Sequence, residues 1–399
     1  MTKLEIAVGA IAVAGLVTAM LERQAQKGLR EQNRVLQEKI GQLAQTGAAS
    51  QPTVTPTNRS SSRQGQSVEL LRLRGELGLR CQEKAELGQL QADNQRLRAK
   101  LRQQLAEGKP LTLEQVAPYL AAKQRNAESL LAAARVTGDQ SLLQEALAKY
   151  PNDPRVNFAA YIAAKLKPDS NPEACRQRLD ALKQSAPDNA LANYLSAQAY
   201  FKAGQSDLAV QELLAAADKP KLQDYSADSV QGAEEAYRAA GLTSLEAVRL
   251  ALETLPLPQL AELRGLGENL GKLATQYRQA GDEASAQAAL QMGVALGRRI
   301  GEASEPSTVI QNLVGIAIER KILDTMDPAS PYEGTGRTVK DRLDELTRQR
   351  QSIKELAAND AQSVLQTLSE QDQFAYYERV KASGELAAWR WVAERQGKR

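Results

Sequence analysis

Three short stretches, YFKAG at 200–204, YRAAG at 237–241 and YRQAG at 277–281, each place a tyrosine four residues ahead of a glycine inside helix-forming sequence. With Gly138 these glycines form a series separated by 66, 37 and 40 residues, the first gap close to twice the others. A period in the thirties is the mark of stacked helical hairpins, each too thin to bury its apolar face alone. The unit NALANYLSAQAYFKAGQSDLAVQELLAAADKP, 189–220, shows the logic. Its first helix carries Leu195, Ala199 and Tyr200 and its second Ala209, Leu213 and Ala216. Gly204 permits the tight turn between them, and Pro220 stops the second helix. Aromatics make up only 4% of the chain, while Ala, Leu, Gln, Glu, Lys and Arg dominate, so the expected fold is all-α.

The spacing resembles the tetratricopeptide repeat family, in which a tyrosine lies four residues before the turn glycine and an alanine five after it. Tyr200, Gly204 and Ala209 match all three positions, as do Tyr277, Gly281 and Ala286. Tyr237 and Gly241 match, but Glu246 stands at the alanine position with Ala247 beside it. The Gly138 unit has Ala134 and Leu143 in place of tyrosine and alanine, yet ends in the Pro151 and Pro154 phrase found in the family. Between it and the Gly204 unit, VNFAAYIAAKLKPDSNPEACRQRLDALKQSAPDN reads as a hairpin with a longer, proline-rich turn. Five units over residues 111–299 are expected, within a repeat domain at 109–300. The resemblance implies an α-solenoid whose concave face binds an extended or helical peptide.

The residue after the tyrosine position should face that groove. It is Arg135, Phe201, Arg238 and Arg278 in the four glycine-bearing units, with Gln198 and Lys202 flanking. Three guanidiniums in equivalent places point to a protein or peptide partner that is acidic or offers a carboxylate.

No histidine is present, which removes the commonest general base near neutral pH and the usual nitrogen ligand of transition metals. Cys81 and Cys175 lack metal-ligand spacing. No enzyme activity, cofactor or metal is therefore expected. A formal charge of +3 with acidic and basic residues interleaved gives no field for nucleic acid. Gly334 and Gly336 in DPASPYEGTGRT do not meet the pattern of a phosphate-binding loop.

The first 22 residues hold the apolar run IAVGAIAVAGLVTAML, 6–21, read as a single-pass membrane anchor or, alternatively, a signal sequence. Arg23, Lys27, Arg30 and Arg34 follow it, which favours a cytoplasmic body, whereas the short basic lead also suits export. The side of the membrane, expected to be a bacterial inner membrane, is thus left open. Leu29, Asn33, Leu36, Ile40 and Leu43 form a short zipper within 23–45. Residues 46–67 read as a flexible linker. A second helix, 68–108, carries Leu87, Leu90, Asn94, Leu97 and Leu101 at a and d positions, and the two asparagines suit a parallel homodimer. The C-terminal region, 301–399, reads as helical, with Trp389 and Trp391 too far apart around a helix to share one core stripe. The expected function is a membrane-anchored interaction scaffold; a stalk or envelope spacer without a ligand is the alternative.

Overall fold

The computed structural model describes residues 60–167, 171–301, 306–332, 336–358 and 361–396. The apolar run at 6–21, the first zipper at 23–45 and most of the 46–67 linker lie outside them. Among the described residues no helix is long and apolar enough to cross a membrane. The chain divides into two compact units, 1–89 and 90–399. The first is described only for its helical residues 60–89.

The protein is mostly helical. Helix α1 runs from Ser60–Ala106, eight residues earlier than the sequence suggests. Once a helix exists, each added residue gains one hydrogen bond per residue fixed, so the Ser-rich end of the expected linker extends it. The body then builds α2 (Leu113–Ala122), α3 (Ala127–Thr137), α4 (Gln140–Lys149), α5 (Pro154–Lys165), α6 (Pro172–Ser185), α7 (Leu191–Lys202) and α8 (Ser206–Ala217). It continues with α9 (Ser226–Ala239), α10 (Ser244–Glu253), α11 (Pro258–Gln279), α12 (Glu283–Gly301) and α13 (Val309–Leu323). The starts are written locally. Asn126, Asp139, Asp153 and Asn171 each cap a helix through a side-chain oxygen, and Thr112 with Gln115 and Thr243 with Glu246 form capping boxes.

Consecutive helices pair as α3/α4, α5/α6, α7/α8, α9/α10 and α11/α12. Gly138, Gly204, Gly241 and Gly281 all take positive φ at the turns. The first three hairpins stack in chain order, α4 on α5 and α6 on α7. The order then breaks. Helix α9 packs against α3 and α2, and α11 packs against α7. The residues between α8 and α9 explain the detour. Ala190 N donates to Lys221 O at 2.9 Å, and the Asn189 side chain donates to Gln223 O at 2.7 Å while accepting Gln223 N at 3.1 Å. This connector is thereby laid along the start of α7 and delivered to the first hairpin. Gly232 on α9 meets Ala132 on α3, where an added Cβ would approach the alanine methyl to 3.1 Å, so the helices cross closely.

Three cores result. One joins the second, third and fifth hairpins with α13; a second joins the end of α1, α2 and the first and fourth hairpins. The third sets α10 against C-terminal helices. The expected loop after α13 contains a minimal antiparallel ladder, β1 (Pro331–Tyr332) with β2 (Arg337–Thr338), leading into α14 (Val339–Ala358). Arg342 on α14 donates to both Glu319 oxygens on α13, at 2.7 and 2.9 Å, and Tyr332 Oη donates to the same carboxylate at 2.8 Å. Helices α15 (Ala361–Thr367), α16 (Glu370–Ser383) and α17 (Glu385–Gln396) complete the body. Both tryptophans of α17 are half-buried: Trp389 Nε1 donates to Tyr376 Oη at 3.0 Å, and the guanidiniums of Arg379 and Arg395 stack within 5.0 and 4.7 Å of the Trp391 ring centre.

Helices α12 and α13 touch backbone to backbone. A Cβ on Gly315 would lie 2.5 Å from Gly301 N and 2.7 Å from Gly297 O. Gly315→Ala should therefore destabilise the body by about 2–3 kcal/mol, since backbone cannot yield as a side chain can. Gly88→Ala, with nothing within 4 Å of the new methyl, should leave the body's thermal midpoint unchanged while raising the helicity of α1. Thermal melts followed by circular dichroism distinguish the two.

Candidate functional site

The six residues expected to line one groove are distributed over four places. Gln198, Phe201 and Lys202 sit together near the end of α7, facing α11. Gln198 is buried and its Oε1 accepts Asn269 Nδ2 at 2.9 Å; Phe201 is half-buried in the same core. Lys202 Nζ donates to both Glu262 oxygens at 3.0 and 2.7 Å, and Lys165 reaches the same carboxylate at 3.2 Å. Burial alone would raise the Glu262 pKa, but the bond from Lys202 and the charge of Lys165 outweigh it and hold the carboxyl below its ordinary range. This cluster clamps α5, α7 and α11 together.

Arg278, exposed at the end of α11, donates to Thr325 O at 3.0 Å and pairs with Glu283 at 3.3 Å. Arg238 is exposed on α9, 3.8 Å from Glu234. Arg135 turns inward from the last turn of α3. Its Nη1 donates to Ser229 O at 2.7 Å and Ser229 Oγ at 3.0 Å, and its Nη2 to Ala251 O at 2.5 Å, while Nε has no partner among the described residues. Burial pulls its pKa down to about 10, against the opposing charge of Tyr237. Arg135 is thus a strut joining the first and fourth hairpins, because α9 occupies the face that chain-order stacking would have left open.

That same packing opens a cleft of about 310 Å³ where the first, second and fourth hairpins meet. Its walls are apolar: Leu131 from α3, Leu143 from α4, and Phe158, Ile162 and Leu166 from the α5 side, with Pro256 beyond. Phe158, Ile162 and Leu166 recur every four residues, a stripe visible in the sequence as amphipathicity. Nothing in the sequence, however, says that this stripe lines a cleft.

The back wall is rigid. Tyr225 holds a left-handed backbone, φ 56° and ψ 19°, a conformation costing a non-glycine residue roughly 1–2 kcal/mol. It persists because its ring packs 5.8 Å from that of Phe158 and its Oη accepts Asn189 Nδ2 at 3.3 Å. Asp224 beside it accepts from Ser226 Oγ at 2.6 Å, Gln259 Nε2 at 2.9 Å and Gln311 Nε2 at 3.1 Å, tying together the starts of α9, α11 and α13.

At the mouth the charges are unevenly committed. Arg135 is spent on carbonyls, and Arg155 forms a two-point pair with Asp153, 3.1 and 2.7 Å. Glu128 and Asp228 make no hydrogen bond or ion pair among the described residues, although both carboxylates add to the elevation of the Arg155 pKa that Asp153 chiefly causes. The cleft can therefore hold apolar groups on its walls and a cation at its rim.

Two outcomes follow. Arg135→Lys should lower unfolding stability by about 2–4 kcal/mol in denaturant titrations, since one ammonium cannot serve carbonyls on both α9 and α10. A depressed pKa stabilises the fold above the ordinary glutamate range, and that contribution is lost as pH falls from this range through the lower folded-state pKa. Wild type should therefore lose more stability than Glu262→Gln between about pH 6 and pH 3. Compared with known proteins, the chain matches no family model, no curated protein and no solved structure.

Proposed function

We propose that this chain is a membrane-anchored interaction scaffold, with tetratricopeptide-like hairpins that bind a peptide segment of a protein partner. The apolar run at 6–21 provides the anchor in this reading. The binding site is the cleft among α3, α4, α5 and α9 rather than a single concave face running the length of an array. One observation carries the proposal: a preformed apolar cleft whose arginines are already committed and whose carboxylates Glu128 and Asp228 are not. The peptide it suits presents one or two large apolar side chains next to a lysine or arginine. Its charge is thus opposite to that suggested by three arginines in equivalent repeat positions, because Arg135 and Arg278 are occupied by backbone carbonyls. Ligand clefts form preferentially between packed helices, and the break in stacking order leaves such a gap here.

Panning a random peptide display library on the full-length protein in mild detergent tests this. Enriched sequences should combine aliphatic or aromatic residues with a basic neighbour. Ala163 also lines the cleft, on α5; Ala163→Trp, which fills it, should abolish the enrichment at an unchanged melting temperature. Glu128→Gln with Asp228→Asn should weaken basic peptides roughly tenfold and leave neutral ones nearly unaffected. Enrichment that survives Ala163→Trp would place the site elsewhere, and no enrichment would remove peptide binding altogether.

A further inference from the structure

Helix α1 carries three leucines that the body leaves in water: Leu87, Leu90 and Leu97 are 58%, 65% and 66% exposed. Of the other large apolar residues exposed among the described residues, Leu208 and Leu214 share α8, six positions apart, and Leu113, Leu166 and Ile310 stand singly. The α1 leucines, together with exposed Asn94, follow one another at intervals of three, four and three, so they form one a/d stripe. The next residue of the stripe, Leu101, is 4% exposed and belongs to the core shared with α2 and the first hairpin. Arg102 fastens the same turn to Glu246 at 2.5 Å. The helix is therefore held by the body at one end and bare along the stripe that precedes it.

We infer that this stripe is the interface for a second copy of the chain, aligned parallel and in register. Asn94 selects the arrangement. It occupies an a position, and in a parallel pair a faces a, so each Asn94 amide meets its counterpart and both are satisfied. In an antiparallel pair an a residue faces a d residue, and Asn94 would bury an unmatched amide against leucine. The flanks agree. Asp93 stands at g and Arg98 at the following e, the two positions that approach each other between the helices of a parallel pair, so each copy presents complementary charges to the other. The seam is only about two heptads long, but α1 is a 47-residue helix, so association need not supply the cost of nucleating it. Pairing of the two copies through this stripe is independent of what occupies the cleft. If both hold, the particle displays two clefts, and a partner with two cognate segments gains avidity without new contacts.

The test uses the full chain in mild detergent. Asn94→Cys should form a dimer covalently linked at that position on treatment with diamide, at high yield, because matching a positions face each other only in the parallel register. Sedimentation analysis of the untreated wild type should show a concentration-dependent dimer. Leu90→Glu with Leu97→Glu, exposed in the monomer and so without effect on its folding, should raise the dissociation constant at least a hundredfold. Asp93→Arg should weaken the dimer severalfold, and adding Arg98→Asp should restore it. A wild type that stays monomeric at all concentrations would overturn the inference. A dimer indifferent to the leucine changes would overturn it too, as would efficient cross-linking only between unlike positions such as 90 and 97.

Discussion

Asn189 uses both ends of its side-chain amide: Oδ1 accepts Leu191 N and Gln223 N, and Nδ2 donates to Gln223 O. A polar group that is 2% exposed must find such partners, since leaving them unmade costs more than the bonds themselves contribute. The consequence spreads far beyond the turn. With residues 221–225 stitched to the start of α7, the chain leaving α8 cannot lay its next hairpin on the third; it is carried back to the first. The left-handed Tyr225, the Gly232 crossing with Ala132 and the inward turn of Arg135 all depend on that return.

The energetics of the returned hairpin differ from those of the fifth. Helix α9 is joined to α3 by small residues and by an arginine bridging to carbonyls on α9 and α10. The interface of α11, α12 and α13 instead relies on glycines that let Ile318 and Ile322 press against backbone, with a buried Glu319–Arg342 pair sealing its edge. Apolar contact at such short range gains dispersion energy but tolerates no added atoms. Rigid packing on both sides is what leaves the cleft between the cores open rather than collapsed.

Cleft and seam are separate surfaces with separate logic. The cleft is a gap between hairpins that meet out of chain order, lined by Leu131, Leu143, Phe158 and Ile162. The leucine stripe lies on a helix that Leu101 and Arg102 fasten to the body. Binding at one need not disturb the other.

Local chemistry made much of the molecule legible. Turn glycines at 138, 204, 241 and 281 take the positive φ that their positions demand, and the capping residues start their helices where they stand. Such features involve residues within one hairpin, where the next bond formed is a few positions away. The fate of the arginines was not legible in this way. Arg135, Arg238 and Arg278 hold equivalent places in their repeats, yet one is a strut, one is exposed beside Glu234 and one caps a carbonyl at Thr325. What a side chain meets depends on which hairpin arrives opposite it, and that is decided by partners such as Asn189 and Gln223, or Gly232 and Ala132, distant in sequence and matched only in space. The sequence by itself determined helices, turns and pairing within hairpins, because their energies are local. Only the tertiary structure decided the order of stacking, and with it the cleft, because that order rests on small differences summed over surfaces that no single segment encodes.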